Sequence, residues 1–176
     1  MRRSAWIMAA AAMTVASPVL AQGVKLAPGE EIAFALAGDG PSALTRVPAK
    51  PTPFEAAVGA HFSGQAPPKA PVTEGGMLYE DDGFPAAPVP EAGKLRFRFL
   101  QVPGTSHTML IVQNGYARAL AYRAQITVKG KTNPTDVCLV LPAKPTVEHW
   151  PYAIAAIEVD AFELIDWKEG DAVPCK

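Results

Sequence analysis

The fold is decided by residues 108–128, TMLIVQNGYARALAYRAQITV. Two strand-like runs flank Asn114-Gly115, a dipeptide that favours the positive φ angles of a tight hairpin turn. From Leu120 to Val128, every second residue contributes to one largely apolar face, and the residues between them include Arg123 and are mostly more polar. This period of two is typical of a half-buried antiparallel strand. The stretch therefore predicts a fold, and it contains no motif that specifies an activity.

Short strand-like runs with turn signals between them recur through the C-terminal half, and one more lies at 32–36. Several such strands in succession predict an all-β fold. We expect an antiparallel, immunoglobulin-like β-sandwich of about seven strands, with one short helix. The predicted strands are 32–36, 95–100, 108–112, 118–128, 136–141, 153–159 and 162–167.

The N-terminus is typical of a secretory signal peptide. Arg2 and Arg3 precede an apolar run at 5–16, which is shorter than the ~20 residues that a membrane-spanning helix needs. Cleavage is predicted after Ala21. The sequence therefore predicts Sec-type export to the periplasm or beyond the cell, and no membrane span after signal cleavage.

Prolines divide the mature chain, because they are frequent between its first strand and its main strand-rich part. A proline-rich stretch disfavours a continuous central strand. One helix signal stands out within it: Thr52 followed by Pro53 and by Glu55 predicts a capping box and a short helix ending near His61. The expected segments are a signal peptide at 1–21, an N-terminal strand at 22–40, a partly ordered proline-rich excursion at 41–93 and the main β-sandwich at 94–176.

The net charge restricts the classes of partner that we expect, and the cysteine content restricts the role of the two cysteines. The net charge of −1 becomes −3 when the two signal arginines are removed (−1 − 2), and this argues against nucleic acid as a partner. Cys138 and Cys175 are the two cysteines, and export would place both in an oxidising compartment. They predict a disulfide that joins the C-terminal tail to a strand. Their wide spacing, without a Cys-x-x-Cys motif, favours neither metal binding nor redox catalysis.

Three features together resemble a known class of proteins. They are the signal peptide, the segments Asn114-Gly115-Tyr116 and Tyr122-Arg123-Ala124, and the run EHWPY at 148–152. With them the chain resembles small exported bacterial proteins of unassigned role that have an immunoglobulin-like β-sandwich. The resemblance covers the C-terminal part of the chain and implies no catalytic residue.

The run EHWPY is the densest polar and aromatic group, with Glu148, His149, Trp150 and Tyr152. In an exposed loop, Trp150 and Tyr152 would be able to anchor a peptide or a sugar. The alternative is that Trp150 closes one end of the sandwich, and then low exposure of its indole argues against a ligand site.

A basic patch is the second candidate binding surface. Arg96 and Arg98 share one face of a strand whose other face is apolar, and the positive charge is extended by Arg118, Arg123, Lys129 and Lys131. Such a patch can dock an anionic envelope component or an acidic protein. The alternative is the solvated face of an antiparallel sheet.

A metal site would use His107, Met109 and His149, since imidazole and thioether are suitable copper ligands. The alternative is that Met109 packs in the apolar core as part of its strand.

A hydrolase is the least favoured of the functions considered. Ser106 and His107 are sequence neighbours whose side chains point to opposite sides of an extended chain, so they do not form a nucleophile–base pair. We therefore expect a non-enzymatic binding or structural module of the cell envelope, without a cofactor, whose partner is an envelope protein or glycan. The ligand and oligomeric state are left open.

Overall fold

The computed structural model describes residues 23–38, 40–65, 84–168, 170–173 and 175, and this part of the chain contains ten β-strands and one α-helix. The predicted signal peptide and residues 66–83 of the proline-rich excursion lie outside it. No helix within the described ranges is long and apolar enough to cross a membrane. The elements are β1 (Val24–Leu26), β2 (Glu30–Ala37), β3 (Gly40–Pro48), α1 (Pro53–Phe62), β4 (Leu95–Gln101), β5 (Thr108–Asn114), β6 (Ala119–Val128), β7 (Lys131–Pro134), β8 (Leu139–Val140), β9 (Pro145–Trp150) and β10 (Ala156–Ile165).

The strands form two antiparallel sheets of five strands each. One sheet has the order β1-β10-β6-β7, with β8 paired to β6, and the other has the order β3-β2-β4-β5-β9. One continuous apolar core draws side chains from both sheets. The predicted all-β antiparallel sandwich with one short helix is confirmed, although the described residues hold more strands than the seven expected.

Alternation along the strands builds this core as the sequence predicts. Leu95, Phe97 and Phe99 of β4 are fully buried. Phe97 stacks against Phe34 at a centroid distance of 5.8 Å, and Phe162 packs edge-on against Phe34 at 5.1 Å. On β6, the side chains from Leu120 to Ile126 that were predicted to share an apolar face are buried in the same core. Burial of these rings accounts for much of the apolar area removed from water.

The Asn114-Gly115 pair is not the hairpin turn that we predicted, because β5 and β6 belong to different sheets. Asn114 is fully buried at this crossover. Its Nδ2 donates to the carbonyl oxygens of Arg118, at 2.8 Å, and Val140, at 3.2 Å, and its Oδ1 accepts from the Tyr116 N–H at 3.0 Å. The Asn114 side chain therefore stabilises the crossover between the two sheets, because it makes hydrogen bonds to backbone groups there.

Gly115 is required by close approach. Its N–H donates to the Lys94 carbonyl oxygen at 2.9 Å, and its own carbonyl accepts from the Gly93 N–H at 2.9 Å. A Cβ at this position would overlap the carbonyl oxygen of Glu91. The sequence signal was correct in marking a special backbone position, and wrong in assigning it to a hairpin.

Besides β1 and β7, which are absent from the predicted list, three strands differ from the sequence expectation. β3 occupies the start of the predicted proline-rich excursion, with Pro41 and Pro48 near its ends; it lies at a sheet edge, where proline is tolerated. β9 takes the place of the predicted loop and pairs with β5. β10 is a single strand instead of two, since Ala161 at φ 52° lies in an irregularity after Asp160 that bends the strand without ending it.

Helix α1 begins as predicted. The Glu55 N–H donates to Thr52 Oγ1 at 3.3 Å, and the Thr52 N–H donates to Glu55 Oε2 at 2.8 Å, so the capping box is complete. The helix covers the outer face of the second sheet, the face directed away from the main core. A second apolar cluster joins them, formed by Phe54, Val58, Leu100, Val102, Met109 and Ile111.

A buried ion network lies between the helix and this sheet. Arg98 is 8% exposed, and its Nε donates to Glu55 Oε1 at 2.6 Å. Its two Nη atoms donate to Glu55 Oε2, to Glu31 and to the carbonyl oxygen of Lys50. Glu55 is fully buried, so the same carboxylate closes the capping box and neutralises the guanidinium.

We expect Arg98→Met to lower the free energy of unfolding by about 3–5 kcal/mol, because it leaves the fully buried Glu55 carboxylate without its counter-ion. Arg96→Met is the matched control. Arg96 lies on the same face of β4 but is half-exposed beside Glu31 and Glu91, and its loss should cost at most about 1 kcal/mol. Urea unfolding of the mature protein measures both, and equal losses would contradict the assigned role of Arg98.

Candidate binding site

Two histidines from neighbouring strands meet on the outer face of the second sheet. His149 of β9 is paired with Met109 of β5, and His107 lies just before β5, diagonal to His149. His107 Nδ1 and His149 Nε2 are 2.9 Å apart. One ring therefore donates to the other, and only one proton lies between the two nitrogens.

The third histidine of the chain reaches the same place through the end of α1. Phe62 stacks on His149, with centroids 5.0 Å apart and an interplanar angle of 13°. His61 packs edge-on against Phe62 at 5.4 Å and against Phe84 at 5.5 Å. All five side chains are partly exposed. We call this group the histidine–aromatic cluster: His61, Phe62, Phe84, His107 and His149.

Protonation of His149, the histidine at the centre of the cluster, is disfavoured. Burial lowers the pKa of His149, and the charge on His107 lowers it further. A second proton would break the hydrogen bond and place two imidazolium rings in contact. The neutral form of His149 is therefore favoured, and it offers a stacking face and a lone pair in place of positive charge.

Met109 of the predicted metal site has another position. It is 2% exposed and belongs to the apolar cluster beneath α1. A Cβ built at Gly59 would lie 3.1 Å from its methyl carbon, so the helix approaches this side chain closely. The structure brings His107 and His149 together and leaves Met109 packed under the helix. Among the described residues, no group of three or more His, Cys, Asp and Glu side chains is placed to hold a metal ion.

The arginines of the predicted basic patch are paired with carboxylates. Arg98 lies under the helix as described, and Arg96 pairs with Glu31 and Glu91. Arg118 pairs with Asp166 at 2.8 Å, and Arg123 pairs with Asp160 at 3.2 Å. Each of the four arginines is therefore matched by a carboxylate, and Arg123, on β6 of the first sheet, does not share the sheet face of Arg96 and Arg98.

The residues of the run EHWPY lie in four environments, because side chains alternate along β9 and the strand ends at Trp150. Trp150 is 8% exposed and belongs to the main core, so its indole is not presented to a ligand. His149 points to the opposite face and joins the histidine–aromatic cluster. Tyr152 lies beyond the strand and is 41% exposed, while its carbonyl oxygen accepts from Thr108 Oγ1 at 3.0 Å. Glu148 points inward toward the disulfide.

Cys138 and Cys175 form the predicted disulfide, with Cα atoms 5.4 Å apart. A cleft of about 220 Å³ lies beside it, lined by Asp136, Val137, Cys138, Leu139, Glu148, Val173 and Cys175. Burial raises the pKa of Glu148 to about 7, with the charge of Asp136 as the second cause. Glu148 in turn contributes to raising the pKa of the buried Tyr122 phenol, after burial itself.

Comparison with known proteins found no matching family model, no matching curated protein and no matching solved structure. The immunoglobulin-like assignment and the resemblance to small exported bacterial proteins therefore remain predictions.

We expect Glu148→Gln to stabilise the protein in alkaline solution. A raised pKa means that the folded state favours protonated Glu148, so its contribution is fully present below pH 4.5 and is lost as the pH rises through 7. At pH 4 the variant and wild type should unfold at the same urea concentration. At pH 8.5 the variant should be more stable by about 3 kcal/mol, since the pKa is raised by 2.5 (7 − 4.5) and each pKa unit corresponds to about 1.4 kcal/mol. Equal stabilities at pH 8.5 would show that the carboxylate is solvated.

Proposed function

We propose that the chain is exported to the periplasm or beyond the cell, where its immunoglobulin-like sandwich acts as a non-enzymatic binding module of the cell envelope. The partner is an envelope protein or glycan, and it is bound at the histidine–aromatic cluster. The N-terminal sequence pattern supports export, and the disulfide is compatible with an oxidising compartment.

One observation carries the proposal: all three histidines of the chain meet in one partly exposed group, in which His61 and His149 contact Phe62 and His107 contacts His149. Stacked aromatic and imidazole rings present rigid apolar faces together with polar edges. Such surfaces bind peptides and sugars with little loss of side-chain entropy. The other surfaces expected from the sequence are less suitable, since Trp150 is buried and the arginines are already paired.

Capture from envelope extracts tests the proposal. Tagged mature protein should retain one protein at stoichiometric yield, or should sediment with an isolated envelope polysaccharide. The double variant His61→Ala/His107→Ala should lose at least tenfold in captured material, because it removes rings from the cluster without entering the core.

Leu44→Ala/Val47→Ala is the matched control for that capture. Both side chains are exposed apolar groups on the edge strand β3, away from the histidines. The control should bind as the wild type does. Loss of binding in the control alone would place the interaction at the sheet edge and reject the cluster as the site.

A second candidate function is binding of copper or a related metal ion by His107 and His149. The 2.9 Å separation of their nitrogens favours it. Two ligands at about 2.0 Å from a metal and at right angles to each other are about 2.8 Å apart, the arrangement preferred by Cu(II). Water or a partner would supply the remaining ligands.

Titration with Cu(I), Cu(II) and Zn(II), followed by elemental analysis, tests this candidate. One equivalent should bind to the wild type, and His149→Ala should weaken binding at least tenfold. Met109→Leu is the control, and it should leave the affinity unchanged because the methionine packs under α1. Equal affinity in the wild type and His149→Ala would exclude the metal site.

A further inference from the structure

The two sulfurs of the disulfide lie in different surroundings. Cys138 is 6% exposed, whereas Cys175 is exposed near the end of the chain. Thiol–disulfide exchange begins with a thiolate that reaches one sulfur in line with the bond, and the other sulfur leaves. Accessibility therefore selects Cys175 as the sulfur that is attacked and Cys138 as the sulfur that leaves.

An acid lies in the cleft beside the disulfide. Glu148 and both cysteines line the same cleft, and Glu148 reaches it from the inner face of β9. The titratable groups that face Glu148 are Asp136, across the cleft, and the phenol of Tyr122, in the core. Neither neighbour is a cation, and the charge of Asp136 disfavours the ionised form of Glu148.

The surroundings of Cys138 connect it to these groups through the backbone. Its carbonyl oxygen accepts from the Tyr122 N–H at 3.0 Å. The Tyr122 hydroxyl is buried and has no hydrogen-bond partner among the residues that the structure describes. A buried phenol without a hydrogen-bond partner, beside a carboxyl group, lowers the stability of the core. A disulfide with a purely structural role does not require such groups nearby.

We propose that Cys138–Cys175 is an exchangeable disulfide, which an external dithiol reduces while the protein stays folded, and that Glu148 donates a proton to the leaving Cys138 sulfur. This activity is independent of the histidine–aromatic cluster and goes beyond the proposed function. Sequence spacing alone argued against it, since no Cys-x-x-Cys motif is present.

The step is balanced as follows. One thiolate of the dithiol bonds to Cys175 Sγ, the bond between Cys175 and Cys138 breaks, and its electron pair stays on Cys138 Sγ, which takes the proton of Glu148. The second thiolate of the dithiol then attacks the dithiol sulfur bound to Cys175 and releases Cys175 as a thiolate, which water protonates. The dithiol is oxidised by two electrons, and Glu148 regains its proton from water.

Reduction by dithiothreitol measures the step. The mature protein is mixed with the dithiol at several concentrations between pH 5.5 and 9, quenched with an alkylating reagent and analysed by mass spectrometry. Each rate constant is divided by the concentration of dithiothreitol thiolate. The corrected value for the wild type should fall by about tenfold as the pH rises through 7, a small effect for a general acid because a thiolate already leaves readily.

Glu148→Gln separates proton donation from simple charge repulsion. If the carboxyl group donates the proton, the variant should stay at the slow, high-pH level of the wild type at every pH. The fast level at every pH would mean that the ionised carboxylate only repels the incoming thiolate, and this would overturn the proposal. Asp136→Asn, an exposed carboxylate of the same cleft, should keep the fall in rate.

Two results from the wild type alone would also overturn the proposal, whether or not the variants fold. The first is a rate that does not depend on the concentration of dithiol, because the disulfide would then open only when the whole protein unfolds. The second is a corrected rate that does not change between pH 5.5 and 9.

Discussion

The outer layer of this molecule depends on one buried guanidinium. Arg98 projects from the sheet toward the start of α1, and Glu55 meets it from the helix while Glu31 meets it from the neighbouring strand. Removing three charges from water is costly, and only mutual pairing offsets that cost. The network therefore specifies where the helix lies. Because Phe62 ends the same helix, the position of Arg98 also determines whether the histidine–aromatic cluster can form.

Neighbouring side chains of β9 lie in different parts of the molecule and have different roles. Its side chains alternate, so Glu148 faces the disulfide cleft, His149 faces the helix, and Trp150 returns to the core. A shift of one residue in its pairing with β5 would exchange these faces and place a carboxylate on the helix side. The register between the two strands therefore supports both the histidine pair and the exchange chemistry inferred for the disulfide.

What could be predicted from the sequence was local or compositional. Alternation in β4 and β6, the capping box at Thr52 and the pairing of the only two cysteines each follow from a short pattern or from a count, and the structure has all of them. The crossover at Asn114 could not be predicted in this way. Local preference favours a hairpin there, and the choice between sheets depends on distant partners.

The cluster and the ion network were missed for the same reason. Arg98 alternates with apolar residues, a pattern typical of a solvated sheet face, and only the distant helix converts that face into an interior. His61 and Phe62 lie in a segment where prolines obscured every signal but the capping box. The structure brings together His107 and His149, which the metal hypothesis also combined, yet no sequence pattern placed the ring of Phe62 on His149.

Glu55 has two roles, in the capping box and in the ion pair with Arg98, and this affects the affinity of the histidine–aromatic cluster for a ligand. Its carboxylate completes the first turn of α1 and holds that turn on Arg98, so fraying of the helix and its departure from the sheet are one event. Whenever that event occurs, Phe62 leaves His149. A ligand that needs the assembled rings therefore encounters only the docked fraction of molecules, and its apparent dissociation constant is the intrinsic one divided by that fraction. Solvent conditions that weaken one internal ion pair would thus tune binding at a surface some distance away.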